Sequence, residues 1–243
     1  MSAGSFARNK IMLDILQLLA YLVAGGGTLL IIKQIKTKVY ANKPAFRNYR
    51  VTPADYIIIL ILTVLIIIVI DPITNLFPVP EEFHELFETM FSKTLPAFVT
   101  AVILAPVLEE LIFRGIVLEG FLRNYSPIKA ILWTNLLFGL AHMNPWQFLG
   151  AFLMGIFISW VYYKTRNLAL PVFIHFINNL ASYMFLYFTN KPVMEASLRD
   201  LFSSYSGYYT LILACVILLG LFFLFSGRIF PIKPLSEKHT VDN

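Results

Sequence analysis

Ile57-Ile58-Ile59-Leu60-Ile61-Leu62-Thr63-Val64-Leu65-Ile66-Ile67-Ile68-Val69-Ile70 runs without a single charge. It lies inside a longer apolar segment, 55–77, that matches the roughly 20 residues a helix needs to cross a bilayer. Six further segments read the same way: 11–32, 95–118, 128–143, 146–163, 168–188 and 208–225. The 243-residue chain is 58% apolar and only 14% charged. Soluble domains carry about 25% charge. An ordinary cytosolic globule, a disordered chain and a disulfide-stapled secreted domain are thereby excluded. Cys215 is the single cysteine, so neither an internal bridge nor a multi-cysteine metal site is available. The expected fold class is all-α: a polytopic membrane protein with about seven transmembrane helices.

The basic residues lie between the apolar runs, so the net charge of +5 reads as an orientation signal. No nucleic-acid partner is implied; the expected environment is a lipid bilayer. With the N-terminus outside, fourteen of the nineteen Lys and Arg residues fall on the inner side, and Arg8, Lys10, Lys93, Lys191 and Arg199 fall outside. The C-terminus is then cytoplasmic. Lys33, Lys36 and Lys38 follow the first segment where a cleavage site would stand in a signal peptide, so that segment reads as a retained span. Between the second and third spans, Phe83, Leu86, Phe87, Met90 and Phe91 oppose Glu81, Glu82, Glu85 and Glu88. That pattern predicts one short amphipathic helix on the outer surface, a connector or a lid. Gly25-Gly26-Gly27 reads as a close helix-packing surface. The chain divides into N-terminal helices with their connector (1–94), a helical core (95–190), and a last span with a cytoplasmic tail (191–243).

A central Asp, Lys or Arg costs about 2.5–3.5 kcal/mol on the insertion scale. Asp14, Asp55 and Asp71 lie near span ends, where water or a helix cap satisfies them. His84 and His239 read as solvated, Glu119 as interfacial, and Cys215 as lipid-facing or core filler. What remains is Glu109, Glu110 and Arg114 on the third span, His142 closing the fourth, and His175, Asn178 and Asn179 on the sixth. Glu110 and Arg114 are four apart and share a helix face. Glu109 is rotated from Glu110 by about 100° and can face a different cavity. Phe138–His142 and His175–Asn179 repeat the four-residue offset. Pro106, one turn before the glutamates, frees a backbone carbonyl and can kink the helix.

Such a set could glue helices together or relay ions. It also has the parts of a hydrolytic site. A carboxylate serves as general base toward water, and a neutral imidazole shares the proton or holds a metal. His plus Asn offers donors to an oxyanion. Two His and one Glu (Glu109, His142 and His175) also make a catalytic zinc set. Neither Gly-x-Ser-x-Gly nor His-Glu-x-x-His occurs, which argues against serine and zincin-type proteases.

Three motifs stand in order, each on its own expected span: Glu109-Glu110-Leu111-Ile112-Phe113-Arg114, Phe138-Gly139-Leu140-Ala141-His142, and His175-Phe176-Ile177-Asn178-Asn179. In these the chain resembles the CAAX protease and bacteriocin-processing family of intramembrane proteases, which includes type II CAAX prenyl endopeptidases. The resemblance covers about residues 95–190. It implies peptide-bond hydrolysis inside the membrane, with Glu109 and His142 activating water. His175 and Asn179 would stabilise the oxyanion, and Glu110, Arg114 and Phe138 would support the site. It permits catalysis without a cofactor or with a single divalent metal, zinc being a candidate. The expected partner is a membrane-associated peptide or protein. Bacteriocin or signalling-peptide maturation, immunity and CAAX-type processing are the candidate roles, in the plasma membrane of a bacterium. A non-catalytic scaffold or regulatory protein of the same fold is the alternative. A transporter is disfavoured, because paired, broken helices are not evident. One expectation conflicts with this site. At 1.5 Å per residue from opposite faces of a core of about 30 Å, Glu109 and His142 come out about 12 Å apart in depth.

Overall fold

The computed structural model describes residues 3–38, 50–77, 79–83, 92–189 and 197–225. Seven helices carry the fold: α1 (Ala3–Lys38), α2 (Pro53–Thr74), α3 (95–122), α4 (Pro127–Ala141), α5 (Pro145–Thr165), α6 (Ala169–Thr189) and α7 (Tyr205–Phe225). No strand occurs among the described residues, and the chain is an all-α polytopic membrane protein. Five of the helices are long and apolar enough to cross a membrane, within Lys10–Ile31, Pro53–Thr74, Pro145–Thr165, Ala169–Phe188 and Tyr205–Leu224. The other two, α3 and α4, are the ones that bring the glutamates and His142 to the site.

Ile and Val favour strands in water, yet α2 is helical. In an apolar medium a lone segment satisfies its backbone only by pairing with itself. Its start is specified by Pro53 and a capping box: Thr52 Oγ1 accepts from Asp55 N, and Thr52 N donates to Asp55 Oδ2 at 2.7 Å. Asp55 is thus held by a helix cap, as expected for a residue at a span end.

α2 packs against α5, α6 and α7, and α4 and α5 form a tight antiparallel hairpin. The main apolar core joins Ile59, Leu62 and Ile66 of α2 to Met154, Phe157, Ile158 and Val161 of α5, with Leu170 and Ile174 of α6. A built Cβ at Gly139 would lie 2.8 Å from Phe148 Cδ2, so the glycine is what lets the hairpin close this far. The hairpin turns at Met143, whose φ is 53°, and α5 starts on the Asn144 side chain, which accepts from Gln147 N at 2.8 Å.

Three expectations change. Gly25, Gly26 and Gly27 have open space where a Cβ would stand, so among the described residues they make no close packing surface. α1 is instead fixed through Asp14, which accepts from Ser92 Oγ at 2.7 Å and Thr94 Oγ1 at 2.6 Å rather than from water. Asp71 likewise accepts from Ser197 Oγ, Leu198 N and Tyr208 Oη, at 3.0, 3.0 and 2.7 Å, tying α2 to the start of α7. Cys215 is core filler, only 2% exposed. Of the amphipathic connector, Glu81–Phe83 forms a 3₁₀ turn, with Phe83 packed on Trp146 at 5.1 Å; residues 84–91 and His239 lie outside the described residues.

Candidate active site

α3 is not a uniform helix. Val99–Leu104 and Phe113–Leu118 are π-helical turns on either side of the α-helical Ala105–Ile112, which carries the two glutamates. Proline explains the first. Ala105 N donates five residues back to Thr100 O, so Ala101 O would next await the N–H of residue 106, which Pro106 lacks. Asn179 takes that vacancy, donating from Nδ2 to Ala101 O at 2.8 Å. The carbonyl freed by Pro106 thus gives α6 one of its polar anchors on α3.

The adjacent glutamates point to different surroundings. Glu110 and Arg114 are both 0% exposed, and Arg114 Nη1 donates to Glu110 Oε1 at 2.8 Å. The same oxygen lies 2.8 Å from His175 Nδ1. A carboxylate held by Arg can only accept here, so Nδ1 carries the proton and Nε2 is left to present a lone pair. That Nε2 lies 3.8 Å from Glu109 Oε2, too far for a hydrogen bond. Glu109 Oε2 is buried with no hydrogen-bond partner among the described residues. Glu109 faces a cavity of about 350 Å³, which His142, His175, Asn178 and Asn179 also line. Asp71, Gln147 and Tyr183 contribute further polar groups to its wall.

His142 reaches the cavity from the other side. Its Nδ1 lies 2.9 Å from Phe138 O. A carbonyl accepts only, so Nδ1–H is the donor and Nε2 again carries the lone pair. The Phe138 ring stands edge-on to His142 at 5.0 Å and to His175 at 5.8 Å, with the Arg114 guanidinium 4.7 Å from its centroid. One aromatic ring thus packs against the buried cation and both imidazoles.

The expected depth offset is not present: Glu109 and His142 line the same cavity. α4 has the rise the sequence implied, 15 residues or about 22 Å. The departure is in α3, whose π-helical turn at Val99–Leu104 places more residues in a turn than an α-helix does and shortens the path from Leu95 to Glu109.

Two histidine Nε2 atoms and an unpartnered carboxylate oxygen are the donor chemistry of a catalytic zinc site, and Glu110 behind His175 is a typical outer-shell partner. The geometry does not close such a site, however. Among the described residues no three His, Cys, Asp or Glu side chains converge closely enough to hold an ion.

Residues 91–181 match the model of the type II CAAX prenyl endopeptidase Rce1-like family. Over this segment the chain is similar to that family. All three motifs fall inside this segment. The membrane-embedded CAAX protease MroQ of Staphylococcus aureus is 28% identical over 176 residues, which cover 68% of this chain and 70% of that protein. A Bacillus subtilis protein named membrane peptidase YdiL is 30% identical over 77 residues, 32% of either chain. No solved structure matches the chain. These relationships support a membrane protease and, in general terms, membrane endopeptidase activity.

Sequence reasoning passed over Asn135, Gly155 and Ser159. Asn135 and Ser159 are 0% exposed and sit against Arg114. A signal was present: each is a polar residue within an apolar helix, where hydrogen bonding between helices is the usual reason. Glu119, at the interfacial end of α3, is 8% exposed and pairs with Arg123 and Arg166 at 3.1 and 3.0 Å.

Proposed function

We propose that the chain is an intramembrane endopeptidase that hydrolyses a peptide bond of a membrane-associated peptide or protein, with Glu109 as general base. The observation that carries this reading is the buried, unpartnered Glu109 Oε2 facing His175 Nε2 across 3.8 Å at the edge of a cavity. A water bound there gives one proton to Glu109 as its oxygen bonds to the scissile carbonyl carbon. His142, with its lone pair at Nε2, accepts the second hydrogen bond of that water. The tetrahedral oxyanion takes a donor from the remaining Asn179 N–H, while His175, held through Nδ1 by Glu110, stands beside Glu109 and orients the bound water. The C–N bond then breaks, and the proton held by Glu109 passes to the leaving amine.

Maturation of a bacteriocin or signalling peptide, immunity, or CAAX-type processing in a bacterial plasma membrane are the roles this chemistry would serve. The N-terminus is proposed outside and the C-terminus in the cytoplasm. In a Cys215→Ser background, a cysteine at Lys33 should then be shielded from an impermeant outside reagent and one at Arg199 labelled. The reverse pattern would invert the topology. The function is tested by incubating the purified protein in detergent with synthetic membrane-associated peptides and identifying products by mass. Cleavage that vanishes in Glu109→Gln is expected; cleavage that persists in that variant would overturn the reading.

A further inference from the structure

The Arg114 guanidinium uses four of its five N–H groups on partners from three helices. Nη1 donates to Glu110 Oε1 at 2.8 Å, and Nε to Ser159 Oγ at 3.3 Å. Nη2 donates to Asn135 Oδ1 and Gly155 O, each at 3.0 Å. Asn135 is itself fixed: its Nδ2 donates to Ile131 O at 2.7 Å and to Ser159 Oγ at 3.0 Å, which turns Oδ1 towards the cation. Glycine is required at 155, because a Cβ there would overlap Asn135 Oδ1 and come within 3.2 Å of Arg114 Nη2.

A guanidinium is a rigid planar fork. Anchoring Nε and Nη2 on α4 and α5 therefore fixes where Nη1 points. Nη1 holds Glu110 Oε1, and that one oxygen also accepts from His175 Nδ1, while Glu110 Oε2 has no hydrogen-bond partner among the described residues. The position of the carboxylate, and with it the tautomer and direction of His175, is consequently set from two helices away. We infer that Asn135 and Ser159 are positioning residues of the hydrolytic site, acting through Arg114 and Glu110 to hold His175 Nε2 towards Glu109. This deepens the proposed function and rests on its reading of Glu109 and His175 as the groups that meet substrate. A merely structural role for the cluster would bind the helices together equally well whichever tautomer His175 adopted. The chain of single-atom contacts goes further, because each link fixes a direction and not only a distance.

The test uses the full-length protein in detergent. Asn135→Asp keeps the side-chain size but sets a second carboxylate against Arg114, in competition with Glu110. Ser159→Ala removes one acceptor, and Ser159→Thr restores it. Kinetics on a cleaved membrane peptide should show kcat falling about 10- to 100-fold in the first two variants, the range typical of outer-shell partners. KM should stay within about twofold, since neither residue touches substrate, and Ser159→Thr should recover most of the loss. Independently, ¹⁵N-histidine spectra, assigned by difference with His175→Gln, should show His175 protonated at Nδ1 in the wild type. The Nε2–H form should grow in Asn135→Asp and Ser159→Ala. Folded variants with unchanged kcat and an unchanged His175 tautomer would overturn the inference while leaving the proposed function standing. If the wild type cleaves nothing, or Glu109→Gln remains active, the proposed function fails and the tautomer comparison alone decides the relay. Should Asn135→Asp fail to fold, Ser159→Ala decides by the same two readings.

Discussion

Two polar clusters lie on adjacent residues of α3 and have opposite characters. Around Glu110 the cluster is dry and bonded to neighbours on three other helices: Arg114 is spread over α4 and α5, and the carboxylate passes to His175 on α6. Around Glu109 a carboxylate oxygen has no partner among the described residues and faces a cavity. An uncompensated polar atom in a protein interior is costly. Glu110 Oε2 is also without a partner among the described residues, but its carboxylate is tied down through Oε1 by Arg114 and His175, whereas Glu109 Oε2 belongs to a carboxylate that faces the cavity. The difference teaches that one half of the Glu-Glu pair is built for rigidity and the other left open for chemistry.

The largest effect should come from the open side. Glu109→Gln should lower turnover by at least about 100-fold, the contribution typical of a general base, with an unchanged melting temperature. A folded Glu109→Gln that turns over normally would erase the distinction between the clusters. On the closed side, Glu110→Gln strands the buried Arg114 charge, and breaking such a pair from one side costs about 3–5 kcal/mol. Thermal melts in detergent should show that loss, with activity falling as a consequence. If Glu110→Gln is instead stable but dead, the roles of the two glutamates must be exchanged.

Gly155→Ala probes the closed cluster from behind. Overpacking of a filled site costs about 1–3 kcal/mol, so the variant should melt lower than wild type and lose activity. A full-strength Gly155→Ala would mean that Arg114 does not need its α5 anchor. The smallest effect is expected from metal removal. If the open valences of Glu109, His142 and His175 belong to water, exhaustive chelation should leave cleavage unchanged, and elemental analysis should find no stoichiometric metal. Stoichiometric metal that disappears in the His142→Ala, His175→Ala double variant, with activity restored on adding it back, would assign those valences to an ion.

Much of this was legible in the sequence. Five of the seven helices follow from apolar run length, because a bilayer sets a minimum length for a crossing segment. The Glu110–Arg114 pair follows from a four-residue offset, which any helix converts into a shared face. Pro106 announced a freed carbonyl, since the missing N–H is a property of the residue itself. Gly25-Gly26-Gly27 misled for the opposite reason: small residues permit close packing without requiring it, and only a neighbouring helix can supply the contact.

What the sequence by itself determined is therefore local and covalent: which segments are helical, which residues share a face, and which ionisable groups needed an explanation. Its prediction that Glu109 and His142 lie at different depths assumed a uniform α-helical rise along α3, and the π-helical turn at Val99–Leu104 breaks that rise. The tertiary structure alone decided that Asn179 would take the carbonyl freed by Pro106, that Asp71 would join α2 to α7, and that Arg114 would be held by Asn135, Ser159 and Gly155. Each of these is a hydrogen bond between side chain and partner on different helices. No periodicity within one helix encodes such a bond, because it depends on how the helices rotate and slide against one another to satisfy buried polar groups where water is absent.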